Sequence, residues 1–224
     1  MTFSISARCE DTGMFGIAVS SSSPAVAARC AHARAGAGVV ASQNITDPRL
    51  GPKGLDLMQS GVSAAEALEK LKADAPHLEY RQLALVDRNG GTASFSGAHT
   101  LGTHAVAEAT NAVAAGNLLA NEQVPARMIE EFQKSRGKPL GERLIGVMRA
   151  GLAAGGEAGP VHSAGMLLVR DVEWPVADLR VDWSDDPIGD LEKLWQRWAP
   201  EMDAYISRAL NPSEAPSYGV AGDP

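Results

Sequence analysis

The sequence predicts an α+β fold in which antiparallel sheets are faced by helices. Three observations predict it. A hairpin-like segment opens the chain, a second turns on Asn89-Gly90-Gly91, and the strand runs and paired helix runs are segregated along the chain.

In the first hairpin, strand-like FSISAR and MFGIAVS flank CEDTG, whose Asp, Thr and Gly form turns. Its first strand begins at once, with Phe3, Ile5 and Ala7 alternating against Thr2, Ser4 and Ser6. A small-residue stretch, SSSSPAVAARCAHARAGAG, leads to VVASQN, an apolar run that delivers polar side chains to its end. Two helices are expected next, in GPKGLDLMQSG and SAAEALEKLKADAP. The second carries a capping box in Ser63 and Glu66 and stops at Pro76.

YRQLALVDRNGGTASFSG is the second hairpin. HAVAEATNAVAAGN reads as strand. VPARMIEEFQKSRG and PLGERLIGVMRAGLAAGG read as amphipathic helices, HSAGMLLVRD and ADLRVDW as the last strands. DPIGDLEKLWQRWAPEMDAYISRAL is helical and interrupted at Pro200. No linker-like break appears, so the reading is one domain over 1–206, with a Pro/Gly/Ser tail over 207–224 expected to be disordered.

The 224 residues carry a net charge of −7 and no Lys/Arg run, which argues against nucleic acid as the partner. The longest apolar stretches are too short and Gly-rich for a membrane span. No basic leader with an apolar segment opens the chain, so a cytoplasmic location is expected. Cys9 and Cys30 make neither a metal spacing nor a disulfide framework.

There is no G-x-S-x-G elbow, phosphate-binding loop or H-E-x-x-H helix. Gly36-Ala37-Gly38 starts like a dinucleotide fingerprint but precedes a strand where that motif requires a helix. Of the five histidines, only His99 and His104 are spaced to share an ion, and a surface turn accounts for them as well. No metal or organic cofactor is expected.

The start of the chain offers chemistry instead. Methionine aminopeptidases remove Met1 when the next residue is small, as Thr2 is. The product presents a hydroxyl beside an α-amine, a nucleophile beside its own base. Starting a strand at residue 2 would hold that pair rigidly. The plain alternative is that Met-Thr is a common beginning. Ser4 shares the face of Thr2 and is the fallback; Cys9, beside Glu10 and Asp11, and Cys30 are weaker nucleophiles.

Eight ordered segments, MTFSISAR, TGMFGIAVSS, ARAGAGVVASQN, GPKGLDLMQSG, YRQLALVD, AAGNLLAN, LIGVMRAGLAAGGEAG and HSAGMLLV, together resemble the bacterial DUF1028 family. That family is assigned to the N-terminal-nucleophile hydrolases. The resemblance implies a four-layer αββα sandwich with the processed N-terminus at the mouth of a cleft. It also implies attack on an amide carbonyl through an acyl-enzyme on Thr2. The resemblance also implies that Arg34, 32 positions on, takes the place of the basic residue that lowers the amine's pKa in proteasome-like members; a packing or salt-bridge role is its plain alternative.

The same resemblance, with the need for oxyanion donors, points to Asn117 and to Ser42, Gln43 and Asn44. It also gives Glu157 and Ser163 the task of orienting the nucleophile. Arg81 and Gln82 are candidates for binding a substrate carboxylate, and salt-bridging between elements is their plain alternative. In GGEAGPVHSAG, Glu157 and His162 stand where the family usually carries an Asp and a Gln-Ser pair, which places His162 among the substrate-contacting candidates.

The expected function is an amidohydrolase acting on a small linear amide, as a homodimer or higher homo-oligomer. A non-catalytic small-molecule-binding protein and a structural assembly subunit are the alternatives.

Overall fold

The computed structural model describes residues 2–222. Ten strands and seven helices form an α+β sandwich of two antiparallel sheets. The first sheet contains β1 (Thr2–Arg8), β2 (Phe15–Ser21), β7 (Ala105–Ala109), β8 (Ala112–Asn117), β9 (Ser163–Val169) and β10 (Ala177–Val181), in the order β10-β9-β2-β1-β8-β7. The second contains β3 (Ala31–Arg34), β4 (Gly38–Asn44), β5 (Arg81–Asp87) and β6 (Thr92–Ser96), ordered β3-β4-β5-β6.

The helices are α1 (Ala27–Cys30), α2 (Leu50–Gln59), α3 (Ala64–Asp74), α4 (Val124–Lys134), α5 (Leu140–Ala153), α6 (Pro187–Trp198) and α7 (Met202–Leu210). Three apolar layers separate these parts. Ile17, Val113 and Ala115 of the first sheet meet Val39, Ala41, Ala84 and Val86 of the second. Leu55, Met58, Leu68 and Leu71 from α2 and α3 cover Val40, Leu83 and Leu85 on the second sheet's outer face. Met128, Phe132, Leu144, Met148 and Trp195 from α4, α5 and α6 cover the first sheet's outer face.

The alternation in β1 now has a cause. Phe3, Ile5 and Ala7 face the helices, yet Thr2, Ser4 and Ser6 are also buried, because their face is turned toward the second sheet. A polar stripe that would suit solvent on a one-sided sheet is enclosed here between two sheets.

The stretch read as strand over residues 104–117 is two strands, β7 and β8, joined at Thr110-Asn111, where Asn111 adopts a φ of 69°. Gly36 and Gly38 serve the β3–β4 turn, at φ 70° and 152°, and a Cβ on Gly38 would lie 2.3 Å from the Val86 carbonyl oxygen. That tight turn accounts for the glycines that opened like a dinucleotide motif.

Ser63 caps α3 as the sequence predicts: its hydroxyl accepts from the Glu66 backbone N–H, and the Glu66 carboxylate accepts from the Ser63 N–H. Ser63→Ala is expected to lower stability by about 1 kcal/mol, seen as a lower urea midpoint with an unchanged slope. A change of slope, or no shift at all, would contradict this account of the cap.

Beyond α7, the Arg208 guanidinium lies 3.9 Å from the Tyr218 ring centroid and donates to the carbonyl oxygens of Pro216 and Ser217. These bonds fold part of the 207–224 segment back onto the helix. Among the described residues, no helix is long and apolar enough to cross a membrane.

Candidate functional site

Strand register builds the site. Thr2 pairs with Asn117 of β8. On its other side, Phe3 pairs with Ser20, so the next step of that register sets Ser21 opposite Thr2. Ser21 in turn pairs with Ser163 of β9. Asn117, Thr2, Ser21 and Ser163 therefore form one row across four adjacent strands, at one end of the first sheet. All four are at most 5% exposed. Residues directly opposite in an antiparallel pair share a face, and this face looks toward the second sheet.

A chain of buried amides ties the row to that sheet. Ser4 donates its hydroxyl to Gln43 Oε1 at 2.7 Å, and Gln43 Nε2 donates to Gln82 Oε1 at 2.8 Å. Asn117 Nδ2 donates to the same Gln82 oxygen at 3.0 Å. Gln82 Nε2 donates onward to the Gly116 carbonyl and the Ser96 hydroxyl, both at 3.0 Å. Asn117 is left with a buried Oδ1 that has no hydrogen-bond partner among the described residues. A buried polar atom without a partner is costly, so Asn117 offers an acceptor beside Thr2.

Glu157 closes the end of the row. Leu119, just beyond β8, bridges to it, and both its carboxylate oxygens accept from the Ser22 backbone N–H just beyond β2, at 3.1 and 3.2 Å. Since β8 and β2 flank β1, Glu157 spans the position where β1 begins. Burial raises its pKa to about 7, and the bonds from Ser22 offset this only in part. His162, which adds to that offset by its charge, brings its Nδ1 within 3.2 Å of the Ser184 carbonyl oxygen. Its ring stacks on Trp183 with centroids 4.5 Å apart.

The structure thus gathers Thr2, Asn117, Glu157 and Ser163, with His162 next in sequence to Ser163 and Gln43 joined through the amide chain. The Ser163 hydroxyl is committed to the 23–26 loop: it donates to the Ser23 carbonyl at 2.6 Å and accepts from the Val26 N–H at 3.2 Å. It positions the loop that follows β2.

Other candidates are placed elsewhere. Arg34 ends β3 at the opposite end of the sandwich and pairs with Asp56 at 2.7 Å, also donating to Gln59. It does not stand beside Thr2. Ser42 and Arg81 alternate onto the far face from Gln43 and Gln82; Ser42 donates to the Asp47 carbonyl and Arg81 to that of Ile45. Asn44, at φ 73°, is tied to Tyr80 and Leu101 at the rim.

Both thiols are buried, and burial raises that of Cys30. His99 rests against the Tyr80 ring, and no group of three or more metal-ligating side chains occurs among the described residues. The expected removal of Met1 concerns a residue outside those described.

Gln82, a candidate for binding a substrate carboxylate with Arg81, is the hub of the amide chain. Ser21 and Ser22 complete the row and its closure. A Gln inside the apolar strand RQLALVD, and a run of four serines after an apolar strand, are the signals that mark them.

A family model described as "Family of unknown function (DUF1028)" matches residues 2–191. The crystal structure of protein SPO2555 from Silicibacter pomeroyi, described as DUF1028, is similar at 29% identity and a TM-score of 0.81, over 88% of each chain. Anbu (ancestral beta-subunit) from Yersinia bercovieri aligns over 91% of this chain and 97% of its own, at 12% identity and a TM-score of 0.38, a likeness too slight to carry an argument. No curated protein matches.

Proposed function

This chain belongs to the DUF1028 family, and from that premise we propose that it is an N-terminal-nucleophile amidohydrolase acting on a small linear amide. The observation that carries the reading is the buried row of Asn117, Thr2, Ser21 and Ser163, closed by a carboxyl that titrates near neutrality.

In this reading, loss of Met1 frees the Thr2 amine. The amine takes the proton from the Thr2 hydroxyl as the oxygen attacks the amide carbonyl. Collapse of the tetrahedral intermediate breaks the C–N bond, the leaving amine takes the proton, and water later hydrolyses the ester on Thr2. Asn117 Oδ1 accepts from the ammonium form of the amine and fixes its direction. Gln82 takes one Asn117 amide hydrogen, and the second, with backbone N–H groups, stabilises the oxyanion. Glu157, about half ionised near pH 7, relays protons at the row.

The test is the intact mass of the untagged protein before and after treatment with a β-lactone, which acylates activated hydroxyls. The expected result is a mass lacking one methionine and a single adduct on the N-terminal peptide. Retention of Met1 throughout the population, or an adduct elsewhere only, would sink the reading. A processed but inert protein would favour the binding-protein alternative.

A further inference from the structure

At the far end of β1, roughly 20 Å from Thr2 at the usual strand rise, lies a second polar site. A cavity of about 320 Å³ is lined by Arg8, Glu10, Asn111, Phe132, Arg136 and Arg143, among others. Three guanidinium groups meet one carboxylate on its wall. Arg136 pairs with Glu10. Arg8 donates to Asn111 Oδ1 at 3.3 Å. Arg143 is only 5% exposed. Its guanidinium lies 3.8 Å from the Phe132 ring centroid and donates to the Phe132 carbonyl oxygen at 2.9 Å. Its Nε is buried and has no hydrogen-bond partner among the described residues. Among the described residues neither Arg8 nor Arg143 forms an ion pair, and Cys9, Glu10 and Asp11 act on Arg143 only through space.

We propose that this cavity is an anion site for the oxyanion of a small phosphate- or carboxylate-bearing molecule. Taking a cation out of water without an ion-pair partner is unfavourable, and a largely buried arginine is in that condition here, beside two more with one carboxylate between them. Phe132 packs against the Arg143 guanidinium, and guanidinium N–H groups match planar or tetrahedral oxyanions in pairs. The body of the protein carries a net charge of −7, so this local excess of positive charge runs against the overall balance. Glu10 is the intramolecular competitor, paired with Arg136. The site is independent of the Thr2 chemistry.

The test is calorimetric titration of the full chain with inorganic phosphate and, separately, with succinate, at constant ionic strength set by chloride. One saturable site is expected for at least one probe. Tighter phosphate binding assigns a phosphoryl ligand, and tighter succinate binding a carboxylate one. Arg136→Gln and Arg8→Gln should each weaken binding about tenfold, the effect of one lost charge-assisted hydrogen bond. Glu10→Gln, which removes the competitor, should tighten binding about threefold or more. That opposite sign separates ligand binding from a role in folding, and both Arg136 and Glu10 lie near the surface. If neither probe saturates, or if the substitutions leave the affinity unchanged, the proposal is overturned.

Discussion

Thr2→Ala is expected to abolish acylation by the lactone and to cut amide turnover by at least about 10³-fold, the scale on which removing a nucleophile acts. Thr2→Ser should retain both, at a reduced rate. The pair is informative because Ala, Ser and Thr all permit removal of Met1, so processing is constant across the series. Thr2 is buried at the end of a strand paired on both sides, so a loss of stability must be separated from a loss of chemistry. Thermal unfolding does this: the alanine variant should still melt cooperatively within a few degrees of the parent. Residual acylation in a folded, processed Thr2→Ala protein would assign the hydroxyl elsewhere. Ser4 is the next candidate on that face, but its proton is engaged by Gln43.

The elements whose signals are local were legible in the sequence. The Asn89-Gly90-Gly91 hairpin and the Ser63–Glu66 capping box depend on residues within four positions of one another, and the structure has both. β3 was not anticipated. Ala31–Arg34 has no β-branched residue, and it is a strand only because β4 supplies a ladder beside it. The polar alternation in β1 revealed a strand, but not that its polar face would be enclosed. That depends on the second sheet, and so do the bonds from Gln43 and Gln82 to Ser4 and Asn117.

Arg34 shows the limit most clearly. A separation of 32 residues from Thr2 says nothing about direction. β2 runs toward the Thr2 end of the sandwich, α1 reverses the chain there, and β3 runs back, which carries Arg34 to the far end. Glu157 arrives by a different route, a loop pinned by the Ser22 N–H, and only the fold brings it to the row.

Glu157→Gln is expected to stabilise the protein above neutrality and to leave it nearly unchanged at pH 5. In the folded chain burial holds the Glu157 pKa at about 7, against an ordinary value of 4.5. Between those values the folded state keeps a proton that the unfolded state releases. Unfolding free energy therefore falls as pH rises through this window. The favourable contribution is complete below about pH 4.5 and gone above about pH 7. A shift of this size corresponds to about 3 kcal/mol, or a melting difference of roughly 6–12 °C for a chain of this length.

Glutamine keeps the shape, and its carbonyl oxygen still accepts from Ser22, but it does not titrate. The difference between parent and variant should then be small at pH 5 and approach the full value at pH 8. His32, whose pKa burial lowers, titrates alike in both proteins and cancels in the difference. A parent-minus-variant difference that stays flat from pH 5 to 8 would show that Glu157 ionises normally, and with that the proton-relay role would fall. If the difference does follow pH, the acylation rate of the parent should carry an inflection near pH 7 that the variant lacks. A carboxyl that is only a structural anchor would move the stability curve and leave the shape of the rate profile unchanged.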